Sequence, residues 1–166
     1  MAAAYPSWAN SYARQALSDL DAREALATAG AKKCHRLHFL QMAAEKTCKA
    51  YWLDCTGPDQ EIRSHALIEK VLPSIARAIY ARTNHQSKMA QWEISEVKKF
   101  SREIKLLSPA CDDSGTRPDN TEYPWQDSQG KLCVPCDYNF PNLDDNNRDI
   151  IKLIKLIRIA AESYSR

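Results

Sequence analysis

Three charged side chains interrupt an otherwise apolar helical pattern. In "LHFLQMAAEKTCKAYWL", Leu37 to Leu53, the residues Leu37, Leu40, Ala44, Cys48 and Tyr51 recur at steps of three and four, and Glu45, Lys46 and Lys49 sit among them. Glu45 and Lys49 stand four apart with the acid first, the favourable order for a helical ion pair worth roughly 0.2–0.5 kcal/mol. On a solvated face that pairing is all they do. If the next helix runs antiparallel, Lys46 and Lys49 can instead share a cleft with Arg63 and His65 and hold a phosphate by charge-assisted hydrogen bonds. His65 has the further alternative of capping or packing against its neighbour, with its switchable charge unused.

Other reactive types are sparser. "CVPC", Cys133 to Cys136, supplies two of the four ligands a structural zinc takes, with Cys111 the nearest third, and it lacks the strand-then-helix setting of a thioredoxin-type motif. Six cysteines are too few for a disulfide scaffold at this length, and reduced thiols are expected. Four glycines in the whole chain leave no material for a glycine-rich phosphate loop, which argues against a self-sufficient NTPase or kinase. No metal or cofactor is expected. Of the tryptophans, Trp8, Trp52 and Trp92 fall in amphipathic patterns that point to burial, and Trp125 in "EYPWQD" is placed to fasten a loop.

The elements that must position these groups read as helices. Spacing predicts the first from about Ser7 to Thr28, ended or bent at Ala29-Gly30, and the second from about Ala31 to Leu53, stopped by "TGPD". A third runs from about Gln60 to Arg82 with Pro73 inside it, where a kink or two shorter helices are expected. The fourth spans about Gln86 to Leu107. The last, about Asn147 to Ser163, carries "IIKLIKLIRIAA" with Lys152, Lys155 and Arg158 on a narrow stripe, which predicts burial on most sides against the core or a second subunit. Residues 108–142 between them are rich in Pro, Asp and Asn and show no periodicity, the pattern of a lid or a structureless loop.

Charge divides along the same boundary. Ser108 to Asp149 holds nine acids against three bases, so that segment carries −6 and the remaining residues +8, for a net charge of +2. A basic body with an acidic flap can attract a phosphate-bearing ligand and also screen the surface that attracts it. The chain of 166 residues fits one domain able to bury its own core. No apolar run approaches the length of a membrane span, "MAAAYPSWANSY" lacks the pattern of a secretory signal, and a cytoplasmic protein is expected.

Several stretches in order carry a family pattern. "QALSDLDAREAL", "HFLQMAAEKTCKAYWL", "EIRSHALIEKVLPSI" and "EYPW" before a closing apolar helix together resemble the HEPN domain (higher eukaryotes and prokaryotes nucleotide-binding). The matching positions are Asp19-Leu20, then Gln41, Ala43, Glu45, Lys46, Lys49 and Ala50, then His65 and Leu67, then Tyr123-Pro124. The resemblance implies a bundle of four or five helices, often a homodimer with a cleft near the interface. It implies one of three activities: a metal-independent endoribonuclease of toxin-antitoxin or phage-defence systems, a partner of a small nucleotidyltransferase, or a nucleotide-binding module. Nuclease members carry an Arg and a His separated by four to six residues, the His as general acid or base and the Arg on the phosphorane. Here Arg77 precedes His85 with seven residues between, Arg82 with two, and Arg63 precedes His65 with one. The ribonuclease motif is absent.

The expectation is an all-α, up-and-down HEPN-like bundle of four to five helices, one domain over residues 1–166, with an acidic loop at 108–142 as a candidate lid. Its expected function is a nucleotide- or RNA-directed binding or regulatory module, a homodimer, in a toxin-antitoxin or phage-defence setting or beside a nucleotidyltransferase. Lys46, Lys49, Arg63 and His65 are its candidate nucleotide-binding residues. One alternative is an endoribonuclease using Arg77 or Arg82 with His85; another is a purely structural dimerising bundle.

Overall fold

A computed structural model describes residues 7–57, 67–83, 91–109, 111–112, 115–116 and 118–165. Among them the chain is mostly helical: α1 (Trp8–Thr28), α2 (Lys33–Thr56), α3 (Leu67–Thr83), α4 (Gln91–Leu106) and α5 (Arg148–Tyr164). Local chemistry sets the ends. The Ser7 hydroxyl accepts from the Asn10 amide at 3.1 Å and starts α1. Gly30, at φ +67°, turns the chain out of it, a conformation that costs glycine little. Asn147 caps α5 by accepting from the Asp149 amide at 2.8 Å.

α1 and α2 form a helical hairpin whose faces approach closely because small residues line them, Ala13 and Ala16 on one side and Ala43, Ala44 and Ala50 on the other, all fully buried. α2 is the central helix, with Leu37, Leu40, Cys48 and the charged Glu45 all buried and with α1, α3, α4 and α5 around it. The core continues through Ile68, Leu72 and Ile75 of α3, Phe100 and Ile104 of α4, and Ile150, Leu153 and Ile157 of α5.

Of the two outcomes expected at Pro73, two shorter helices do not form: α3 runs through it as one helix. Ile68 and Leu72 before the proline and Ile75 and Ala76 after it are all buried, and that packing holds the helix across the missing backbone bond. Among the described residues of the single chain, α5 packs on the core through Ile150, Leu153 and Ile157 and leaves Ile151 and Ile159 40% and 48% exposed, the face on which the expected second subunit would lie. Of the core or dimer burial expected for Trp8, the single chain does not provide the first: among the described residues Trp8 is 67% exposed and tilted against Tyr12 at 6.3 Å.

The long connection is not structureless. β1 (Cys111–Asp112) and β2 (Gly115–Thr116) pair antiparallel, as do β3 (Trp125–Gln126) and β4 (Leu132–Cys133), and a short 3-10 turn follows at Pro135–Asp137. Asn120 ties the entry: its side-chain oxygen accepts from the Glu122 and Tyr123 amides at 2.9 and 2.7 Å, and its amide donates to the Tyr123 carbonyl at 3.0 Å. Trp125, Tyr138 and Phe140 stack edge to face at 5.1 and 5.0 Å. Trp125, Phe140 and Leu143 are nearly fully buried, so this segment is a strap fastened to the bundle. Among the described residues no helix is long and apolar enough to cross a membrane.

Candidate functional site

The hairpin of α1 and α2 places the predicted lysines against acids of the same chain. The Lys46 ammonium donates to Asp19 Oδ2 at 2.6 Å, and the Gln15 amide fills Oδ1 at 3.1 Å. One turn on, Lys49 donates to Glu45 Oε1 at 2.6 Å and Gln41 to Oε2 at 3.0 Å. Lys49 also lies 5.6 Å from the centre of the Tyr12 ring. Both lysine side chains are 17% exposed, and Asp19 and Glu45 less, 7% and 11%. Here Coulomb attraction is stronger than at an open surface, and a phosphate at either lysine must first displace a carboxylate. These residues form a paired framework inside the hairpin.

The other predicted positions are dispersed. Arg63, His65 and His85 lie outside the described residues, so the cleft with Lys46 and Lys49 and the alternative pairing of His85 with Arg77 or Arg82 are not placed. Arg77 and Arg82 are both exposed on α3. The Arg82 charge reaches Tyr51 and Tyr164 and opposes the rise that burial causes in their phenols.

Free positive charge gathers elsewhere, between α3 and α4. Glu69 and Lys70 of α3 face Lys98, Arg102 and Lys105 of α4 across an open groove of about 320 Å³. Arg102 Nε and Lys105 Nζ each donate to Glu69 at 2.9 Å, on different oxygens. Those bonds, Lys105 first and Arg102 second, hold the Glu69 carboxyl below its usual range. Among the described residues Lys70 and Lys98 have no acidic partner. One acid thus pairs with two of the four bases along the groove.

Neither a family model, nor a curated protein, nor a solved structure matches this chain. The groove residues escaped the sequence reading because α3 and α4 contribute them separately. Their one signal was the spacing of Lys98, Arg102 and Lys105 at four and three residues, which places three bases on one face of a single helix.

At the opposite end of the hairpin, the acidic strap meets the basic start of α2. Lys33 donates to the Asn139 and Phe140 carbonyls at 2.8 and 3.1 Å, and Lys32 lies 3.9 Å from Asp137. His38 Nδ1 is 3.5 Å from Glu122 Oε1. Asp145 receives a hydrogen bond from Arg23 of α1 and lies 3.0 Å from Arg36 of α2.

Cys111, the nearest third ligand for Cys133 and Cys136, has a side chain outside the described ones. Among the described residues no three His, Cys, Asp or Glu side chains form a group able to hold a metal ion. Cys48 is fully buried, and that burial, with Glu45 beside it, pushes its thiol well up. Cys34 is also buried and raised for the same first reason, whereas Cys55 and Cys136 are exposed.

Proposed function

We propose that this helical bundle is a binding or regulatory module for a phosphate-bearing ligand, a nucleotide or RNA, and that the ligand's phosphates lie in the groove between α3 and α4. The observation that carries this reading is the pair Lys70 and Lys98, two cations without acidic partners among the described residues, beside Arg102 and Lys105 already oriented by Glu69. Fixing part of a basic cluster with a single buttressing acid lowers the ordering cost when an anion arrives. Exposed ammonium groups then exchange counterions for phosphate oxygens.

The HEPN-like pattern of the sequence supports the same ligand class and extends it to a homodimer that serves in toxin-antitoxin or phage-defence systems or partners a small nucleotidyltransferase. In sequence, Arg63 and His65 come immediately before α3, which carries Lys70, so the predicted residues and the groove adjoin along the chain. Lys46 and Lys49 act in this reading as the frame that holds the hairpin.

The test is fluorescence anisotropy with a short labelled RNA, and thermal shift with nucleoside mono-, di- and triphosphates, at low salt and without metal. Lys70→Glu with Lys98→Glu should abolish the signal, and single Lys→Gln changes should each reduce the salt slope by about 1. Binding that is untouched by the double charge reversal rejects the groove. The absence of binding by any of these ligands rejects the function.

A further inference from the structure

Asp145 is a single carboxylate shared by two guanidinium groups. Arg23 approaches from α1 and Arg36 from α2, and their side chains are 9% and 22% exposed. The arrangement is electrically and geometrically incomplete: among the described residues the Nε of Arg23 and of Arg36 are both buried with no hydrogen-bond partner, and Asp145 Oδ2, though 3.0 Å from Arg36, accepts no hydrogen bond. An unpaired buried donor on a charged group is costly, and each guanidinium offers a planar fork that one carboxylate cannot fill twice. Two cations against one anion also leave a residual positive charge where solvent is partly excluded.

An oxyanion with three terminal oxygens and up to two negative charges fits that deficit. It can accept from both forks at once, and its second charge balances the second arginine. Access depends on a short piece of chain. Leu143 and Ile150 are buried on either side of Asp145 and anchor the strap and α5. The intervening turn is held locally, by the Asn146 amide on Asp144 Oδ1 at 3.0 Å and the Asn147 amide on the Asp144 carbonyl at 2.9 Å. A rearrangement confined to that turn withdraws Asp145 and leaves the anchors and both arginines in place.

We infer that Arg23 and Arg36 form a second anion site, specific for a terminal phosphate group, which Asp145 closes as an internal competitor. This site lies at the strap end of the hairpin and does not depend on the α3–α4 groove. Free phosphate and a phosphate monoester share the recognising chemistry, and a comparison of inorganic phosphate with a nucleoside 5′-monophosphate identifies the source. The Asp145 carboxylate lowers the apparent affinity by the fraction of time it occupies the site.

The experiment is a titration of the full chain followed by calorimetry and ³¹P line broadening, with inorganic phosphate and with the monophosphate. Asp145→Asn should bind at least about tenfold more tightly than the parent, because an amide no longer competes for two cations. Adding Arg36→Gln should remove that gain, and adding Lys98→Glu should leave it intact, which separates this site from the groove. Equal affinity of the parent and Asp145→Asn overturns the proposal, and so does binding unaffected by Arg36→Gln. If Asp145→Asn does not fold, the parent decides: saturable phosphate binding lost in Arg36→Gln and kept in Lys98→Glu upholds the site, and any other pattern overturns it.

Discussion

Replacing Lys46 by methionine tests whether the hairpin's charges are framework or ligand contacts. The substitution keeps the length of the side chain and removes the ammonium, so Asp19, 7% exposed and 2.6 Å from it, loses its counter-charge. Breaking a buried pair from one side costs about 3–5 kcal/mol. Gln15 still donates to Asp19 and Lys46 is itself 17% exposed, which brings the expected loss down to about 2–3 kcal/mol. For a chain of 166 residues the unfolding entropy is about 350 cal/mol/K, so about 1 kcal/mol corresponds to about 3 °C. The melting temperature should therefore fall by about 6–9 °C. Asp19→Asn in the same chain removes the uncompensated charge while keeping an oxygen for Gln15, and should recover most of that loss.

The assay is a set of far-UV circular dichroism melts of the parent, both single variants and the double variant near neutral pH, at low and high salt. A buried pair predicts a coupling that salt barely changes. A fall below about 1 °C for Lys46→Met, or a coupling that high salt removes, refutes the reasoning, because those are the properties of a solvated surface pair. That outcome would also return Lys46 to the set of residues able to meet a ligand.

Trp125→Ala should cost about 3 kcal/mol or more, since Trp125 is 4% exposed and stacks on Tyr138. Limited proteolysis should then cut the strap sooner, and an unchanged cleavage rate counts against the strap being fastened there. Alkylation followed by mass spectrometry should label Cys55 and Cys136 quickly in the native protein and spare Cys34 and Cys48, which burial keeps in the thiol form; early labelling of Cys48 contradicts its place in the core. Burial, and next the hydrogen bond its hydroxyl donates to Asp119, push the Tyr138 phenol up to about 12. Its folded value exceeds the unfolded one of about 10, so the unfolded state ionises first, and stability should fall as pH rises from about 10 to about 12. Tyr138→Phe should flatten that decline in alkaline denaturation, and a decline of the same size in the variant removes Tyr138 as its cause.

The helices were legible because each has an apolar face, and the ends of α1 and the start of α5 because Ser7, Gly30 and Asn147 have local jobs that residue type reveals. The expected starts at Gln60 and Gln86 lie outside the described residues. The strap was not, since it is held by pairings specific to its own chain, such as Asn120 on the following amides and Trp125 on Tyr138, which leave no period. Pro73 does not divide α3 for a related reason: the rule for an interior proline is local, whereas the packing that carries the helix through it is tertiary. The role of Lys46 was hidden because its partner Asp19 is 27 residues away on another helix. Glu45 and Lys49, four apart on one helix, could be paired from spacing, but not their partial burial, which follows from α2 being surrounded.

Charge in this fold is sorted by what each base meets. Along α1 and α2, Lys46 and Lys49 are neutralised inside the hairpin by Asp19 and Glu45, and Arg23, Lys32 and Arg36 face Asp145 and Asp137 of the strap. Paired charges at contact largely cancel beyond a few ångströms, so the Lys46–Asp19 and Lys49–Glu45 pairs project little field into solvent. Of the bases along the α3–α4 groove, Arg102 and Lys105 pair with Glu69, and Lys70 and Lys98 have no acidic partner among the described residues. The strap's described ion pairs go instead to α1 and to the start of α2. Among the described residues, the bases of α3 and α4 along the groove outnumber the one acid there, an excess the small net charge of the whole chain conceals. Of the strap's carboxylates, Glu122, Asp137 and Asp145 face bases of α1 and the start of α2, and Asp145, held between two arginines, stands where an anion of higher charge would replace it.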